Sequence, residues 1–445
     1  MCKQPGLLGV GSVLCIRARA AMVWPRRLPG CVRAVDLKLA MLQDARLAKL
    51  ADVLVGYSTR VKAGDLVAII GDPAGMPLAE ELFKAVLRAG GNPFFWLRSE
   101  AFNEALIAHG SDAQIAFVNP IQMDLIEKVD VTLSYWASGN SKYLSGYPSA
   151  KTALLQQARK PYLKRFMQRE ADKALRWCGT EFPTNASAMD AEMSLHQWAD
   201  FVFRAGLLHL PDPIAAWRGV EQRQQRVCDY LQTKKALHFA VPPHEGPLGR
   251  NDGTDLKVDV SRGIWENCCG QCNFPDGEVF CGPTLPDNKD AAGNGGFGVD
   301  GHVNYTFPAV YMGNEVQNVR LAFKAGRVVD ASASKGEDFL FKMLDQDPGA
   351  RNLGEIAIGT NYGITDFSRN ILFDEKIGGT FHAAVGAGYP KTGSNNDSGL
   401  HWDMICELRQ RTSNGIASPG GEIRADGELF HKHGLFLDPT FPQPS

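Results

Sequence analysis

Lys62-Ala-Gly-Asp-Leu-Val-Ala-Ile-Ile70 opens on turn chemistry and runs directly into five apolar residues. A continuous apolar run of this kind reads as a strand covered on both faces, as in a parallel sheet. Its surroundings agree. Upstream, Leu47, Leu50, Ala51 and Leu54 fall on one face of a helix. Downstream, Pro77 can open a helix in which Leu78, Leu82, Ala85, Val86 and Ala89 share one side, and Gly90-Gly91 stop it. Phe94 to Leu97 and Val131 to Trp136 read as further strands. Strands and helices alternating at this pitch predict an open α/β sheet. Such a sheet says nothing about function.

A helical stretch follows. Ser194-Leu-His-Gln197 has the form of a capping box, and Asp212-Pro213 is an N-cap with proline at the first helical position, opening a helix to about Leu231. His196 and His209 read as surface or cap histidines. After about residue 236 the pattern changes to strands joined by turns. Val319, Leu321 and Phe323 alternate, Ala325-Gly326 turns the chain and Val328-Val329 returns it; Ile423 to Phe436 repeats the pattern around Asp426-Gly427. The expected class is α/β: an N-terminal open α/β domain over 41–245, then a mixed, strand-rich α+β metal-binding domain over 246–445.

The chain has 445 residues, 44% hydrophobic and 22% charged, which is ordinary globular composition. Lys plus Arg number 47 against 49 Asp plus Glu, so no large basic surface is available to hold a nucleic acid. No apolar run approaches the ~18 residues of a membrane span. Ten scattered cysteines suit reduced thiols and a cytoplasmic location. The first 35 residues carry six basic residues and no acid, which leaves −8 for the remainder of a chain whose net charge is −2. Residues 1–40 are therefore expected to be an extension outside the fold and dispensable for activity, with a transit peptide or secretory signal as the alternatives.

Two motifs are set aside. Gly293-Asn-Gly-Gly-Phe-Gly298 has neither a buried strand before it nor Gly-Lys-Ser/Thr after it, so it reads as a loop and not a phosphate cradle. Cys268, Cys269, Cys272 and Cys281 contain one C-x-x-C but no second close pair. They read as reduced, partly buried thiols, with thiolate ligation as the outside alternative.

Chemistry concentrates in the second half. Taken as a strand, Leu400-His-Trp-Asp-Met404 sends Leu400, Trp402 and Met404 to one face, and His401 and Asp403 together to the other. His382 shares a face with Ala384, Gly386 and Gly388, small residues that leave room for a ligand. Glu355, Ala357 and Gly359 oppose Ile356 and Ile358, and Glu278 follows a turn. Any one of these is an ordinary solvated strand face. Four together raise a divalent-metal site to a real alternative.

Asn273-Phe-Pro-Asp-Gly-Glu-Val-Phe280, Leu353-Gly-Glu355, Leu372-Phe-Asp-Glu375 with His382 and Gly388-Tyr-Pro390, and His401-Trp-Asp403 resemble, in order, the blocks of the thermophilic-type metallo-aminopeptidases, the aminopeptidase T/S family. Gly253-Thr-Asp-Leu256 and Phe182-Pro-Thr-Asn185 match its body. The resemblance implies a homodimer acting on peptides with a free N-terminus. It implies two divalent ions (Zn, Co, Mn or Mg) on Glu278, Glu355, His382, His401 and Asp403, with Tyr389 as ligand or transition-state donor. Hydrolysis of the first peptide bond would use a metal-activated water, with Glu355 carrying the proton to the leaving amine. Pro275-Asp-Gly-Glu278 departs from the family's Pro-Thr-Glu-Glu, and 282–304 reads as a Gly-rich insertion. Those changes bear on substrate range. The rival reading is a mononuclear Fe(II) ring-cleaving dioxygenase using His382, His401 and Asp403; a non-catalytic binding protein is the third.

Overall fold

The leading strand is Leu66–Gly71, and it lies inside a five-stranded, wholly parallel sheet. The computed structural model describes residues 44–246, 249–413 and 416–444, so the expected extension at 1–40 lies outside the described residues. The sheet runs in the order Asn273–Phe274, Arg176–Glu181, Val131–Trp136, Leu66–Gly71, Asn92–Leu97. Val67, Ala68 and Ile69 are wholly buried, as a strand covered on both faces must be. Asn92–Leu97 starts earlier than the apolar pattern indicated because it is an edge strand. Pro93 there lacks an N–H but forfeits no ladder bond that a central strand would need.

Helix Met76–Arg88 buries Leu78, Leu82, Ala85 and Val86. Helix Leu195–Ala205 carries the expected capping box, Gln197 N–H donating to Ser194 Oγ while Gln197 Oε1 accepts from Ser194 N–H. Helix Pro213–Leu231 is capped by Asp212. Helix Ser149–Ala171 was not legible in the sequence. It buries Leu155 and Arg169 but lacks a continuous apolar stripe to read.

Two large antiparallel sheets build most of the second half. One has the order His401–Glu407, Thr380–Gly386, Leu353–Gly359, Glu278–Cys281, Glu266–Cys268. The other has eight strands and includes the two expected hairpins, Arg320–Lys324 with Arg327–Ser332 and Glu422–Ala425 with Glu428–Lys432. Both hairpins turn through residues at positive φ, Ala325-Gly326 and Asp426-Gly427. Between the two sheets lies an apolar core in which Phe239 and Phe381 meet at 4.4 Å between ring centroids. Two elements cross the expected division near residue 245: Ala236–Val241 joins the eight-stranded sheet, and Asn273–Phe274 joins the parallel one.

Candidate metal centre

The five-stranded antiparallel sheet has two unlike faces. Val279, Cys281, Ile356, Ile358, Phe381, Ala383, Val385, Trp402, Met404 and Cys406 all enter the core. A large apolar side chain buried so completely stabilises the fold by about 1.5–3 kcal/mol, so this face fixes the register. Pairing partners share a face, and the register sets Glu278 opposite Gly359, Ala357 opposite His382, Glu355 opposite Ala384 and Asp403 opposite Ala384. The opposite face thus collects Glu278, Glu355, His382, His401 and Asp403, all five residues expected from the sequence. The small residues Gly359, Ala357, Ala384 and Gly386 lie between them. A one-residue slip would send every one of them into the core.

Distances place His382 at the centre. Its Nε2 lies 3.2 Å from Glu355 Oε1, 3.6 Å from Glu278 Oε2 and 3.8 Å from Asp403 Oδ1. His401 Nε2 is 3.4 Å from Asp403 Oδ1. Each imidazole is oriented from behind, His382 Nδ1 by the main-chain oxygen of Glu375 at 3.0 Å and His401 Nδ1 by that of Ala387 at 2.7 Å. A carbonyl can only accept, so both Nδ1 atoms carry a proton, and each ring turns its Nε2 towards the cluster, where it is free to bind a metal once it gives up its own proton.

Glu278, Glu355 and His382 are buried. Two carboxylate oxygens in the cluster, Glu278 Oε2 and Asp403 Oδ1, lack a hydrogen-bond partner. A buried anion left in that state is costly unless a cation completes it. The protonation equilibria carry the same message. Burial acts to deprotonate His382, but Glu355, Glu278 and Asp403 outweigh it and raise it to about 9. His401 is likewise raised to about 11 by Asp403 against its own burial. Burial pushes Glu278 well above the usual carboxylate range, while the two imidazoles overcome burial and pull Asp403 well below it. The cluster draws in positive charge. Donor atoms from Glu355, His382 and Asp403 lie within 4.8 Å of one another, close enough to hold a metal ion. Two imidazoles and three carboxylates form a donor set suited to divalent ions.

Tyr389 stands at the mouth, 39% exposed, its ring 5.6 Å from that of His401 and 5.9 Å from that of Phe280. Burial of its hydroxyl end and the nearby carboxylates raise the phenol above its ordinary value, so it remains a proton donor. The cysteines are free: Cys268 and Cys272 half-buried, Cys269 and Cys281 buried. Cys268 pairs with Glu278, and its sulfur, Asp276 and Glu278 form a second close group of donor atoms. The glycine-rich 293–298 stretch is a loop, as expected, and Asn288 just before it donates to the Gly393 carbonyl at 2.8 Å, beside the turn that carries Tyr389.

Sequence reading missed what supports Glu278. Gln224, from helix Pro213–Leu231, donates through Nε2 to the main-chain oxygens of Glu278 and Cys268. Lys376 is wholly buried against Glu375, and its Nζ is 3.8 Å from Glu278 Oε1. Burial acts to deprotonate Lys376, but Glu375, Glu278 and Asp276 prevail and hold its ammonium charged. Glutamine and lysine in a helix and a loop carry no periodic signal; only the complete burial of a lysine reveals them.

A parallel sheet followed by an antiparallel one, with acids and imidazoles assembled on the latter, suits a metal-dependent enzyme. The chain matches the thermophilic metalloprotease (M29) family over residues 43–435, and it belongs to that family. It is 27% identical to aminopeptidase 2 of Geobacillus stearothermophilus over 85% of this chain and 95% of that one. It is 30% identical to aminopeptidase AmpS of Bacillus subtilis over 57% of this chain and 61% of that protein. Among solved structures, wild-type AmpT from Thermus thermophilus superposes with a TM-score of 0.72 at 22% identity, covering 88% of this chain and 99% of that one. The 2,5-dihydroxypyridine dioxygenase of Pseudomonas putida superposes at 0.51 with 12% identity, over 89% of this chain and 99% of that one, so the fold reaches beyond peptidases. Among the described residues no helix is long and apolar enough to cross a membrane.

Proposed function

We propose that this chain is an aminopeptidase that removes the first residue of peptides at a centre of two divalent ions. The holders would be Glu278, Glu355, His382, His401 and Asp403. The observation that carries this reading is the gathering of two imidazole Nε2 atoms and two unpartnered carboxylate oxygens on one sheet face. Both glutamates support two ions over one, because three carboxylates offset most of a +4 charge. Divalent ions in such a site lower the pKa of water towards ~7 and polarise a carbonyl.

The chain's own groups do the rest. Glu355 Oε1 would accept the proton that the attacking water gives up and pass it to the departing amine nitrogen as the C–N bond breaks. The Tyr389 hydroxyl donates to the oxyanion that forms at the scissile carbon. Release of the terminal residue is supported by the relatives, each an aminopeptidase by name. The reading keeps the homodimer implied by the family resemblance and the cytoplasmic location expected from composition.

The test is a panel of aminoacyl-p-nitroanilides, free and N-acetylated, run beside a metal count per chain. Hydrolysis of the free amines alone, with two ions per chain, supports the reading. One iron per chain and no hydrolysis would favour a ring-cleaving dioxygenase; no metal at all would leave a binding protein.

A further inference from the structure

Lys376 has no exposed side-chain surface and stands against Glu375 and Glu278. It is reached by a short helix, Ile371–Asp374, and its main chain is tied at both ends. Its N–H donates to the Phe373 carbonyl at 3.0 Å and its carbonyl accepts from Asn361 N–H at 3.0 Å. With its backbone fixed and its side chain wholly enclosed, the ammonium is held against these two carboxylates. Glu278 is held equally firmly at its backbone, where its carbonyl accepts from Gln224 Nε2 at 3.0 Å. Its carboxylate is divided between two environments. Oε1 faces Lys376 Nζ at 3.8 Å, while Oε2 faces His382 Nε2 at 3.6 Å and has no hydrogen-bond partner.

We infer that Lys376 is a positioning residue that occupies one oxygen of Glu278 and so directs the other, Oε2, at the metal as a single-oxygen ligand. A carboxylate free to rotate would offer either oxygen or both, at an entropic cost on every binding event. Lys376 meets that cost at folding. The arrangement also limits charge. A fixed cation between Glu278 and Glu375 lets one further carboxylate, that of Glu375, stand beside the three at the site without excess repulsion. This inference rests on Glu278 being a metal ligand.

Lys376→Met and Lys376→Gln test it by metal affinity, measured as competition with a chromophoric chelator for Zn(II), independently of turnover. Outer partners of metal ligands are commonly worth about 10–100-fold in affinity. The expected result is a rise of that size in the dissociation constant of one ion, with the second ion bound as in the wild type. Should Lys376→Met fail to fold with Glu375 left unpaired, Lys376→Gln, which keeps a donor in similar volume, carries the measurement. A dissociation constant within threefold of wild type, or a tighter one, overturns the inference. Glu278→Gln in the same assay separates the two failures. If it too leaves affinity unchanged, Glu278 is no ligand and the two-ion reading fails; if it alone weakens binding, only the role of Lys376 is lost.

Discussion

His382 and Glu355, 27 positions apart, meet at 3.2 Å because they are diagonal neighbours on adjacent antiparallel strands. The contact is made on a sheet face whose reverse, over these strands, is apolar. Neither residue can leave it without disturbing the register that the core enforces.

Glu355→Gln should therefore fold normally. Its strand neighbours Ile356 and Ile358 stay buried and the side chain keeps its size. Hydrolysis of leucyl-p-nitroanilide should fall by roughly 10²-fold or more, the scale of acid–base catalysis, and metal content by mass spectrometry should fall with it. A variant with wild-type rate and metal content would show Glu355 to be a bystander.

Tyr389→Phe separates ligand from donor. The phenol is partly exposed at the mouth of the cluster, and its ring packs on His401. As a donor to the oxyanion it should cost about 10²-fold in kcat, with KM and metal content little changed. Loss of metal from this variant would reassign the hydroxyl as a ligand.

Metal removal should loosen the protein as well as silence it. Glu278, Glu355, His382 and Asp403 form one electrostatic unit, and an ion that binds only the folded state adds about 2.7 kcal/mol at 100 times its Kd. Thermal unfolding followed with chelator, then with Zn(II) or Mn(II) added back, should show Tm rising with metal concentration. A Tm indifferent to metal would count against a folded-state centre.

His431 gives an acid limit to stability. It is wholly buried on strand Glu428–Lys432 and packs edge-on against Phe436 at 4.9 Å. Burial, against a favourable main-chain contact at Gly434, lowers it to about 3. Between that value and the ordinary ~6.5 of histidine, the unfolded chain binds the extra proton and the native one does not. Stability from this group is thus complete above ~6.5 and drains away as pH falls towards 3. Urea midpoints taken from pH 7 to pH 4.5 should drop more steeply in the wild type than in His431→Leu. Parallel slopes would mean that His431 is protonated in the native state.

Much of the site is legible in the sequence alone. Alternation alone put His401 and Asp403 on one face of their strand and Glu355 opposite Ile356 and Ile358, since side chains in a strand can point only two ways. Helix caps at Ser194 and Asp212 were equally plain, being local hydrogen bonds between residues three apart. Helix Ser149–Ala171 was not, because a helix that buries so little needs no apolar period.

Local pattern in the sequence determined which residues are polar on a strand whose other face is apolar, and so which acids and histidines were available for chemistry. It could not determine which strands are neighbours. Pairing of Thr380–Gly386 with both Leu353–Gly359 and His401–Glu407 brings Glu355, His382 and Asp403 within reach, and that pairing is decided by long-range packing of the shared apolar face. Lys376 and Gln224 belong wholly to this second kind. Nothing in their own segments distinguishes them from solvated residues; only the fold, by closing over them and leaving Glu278 as a partner, gives each a task.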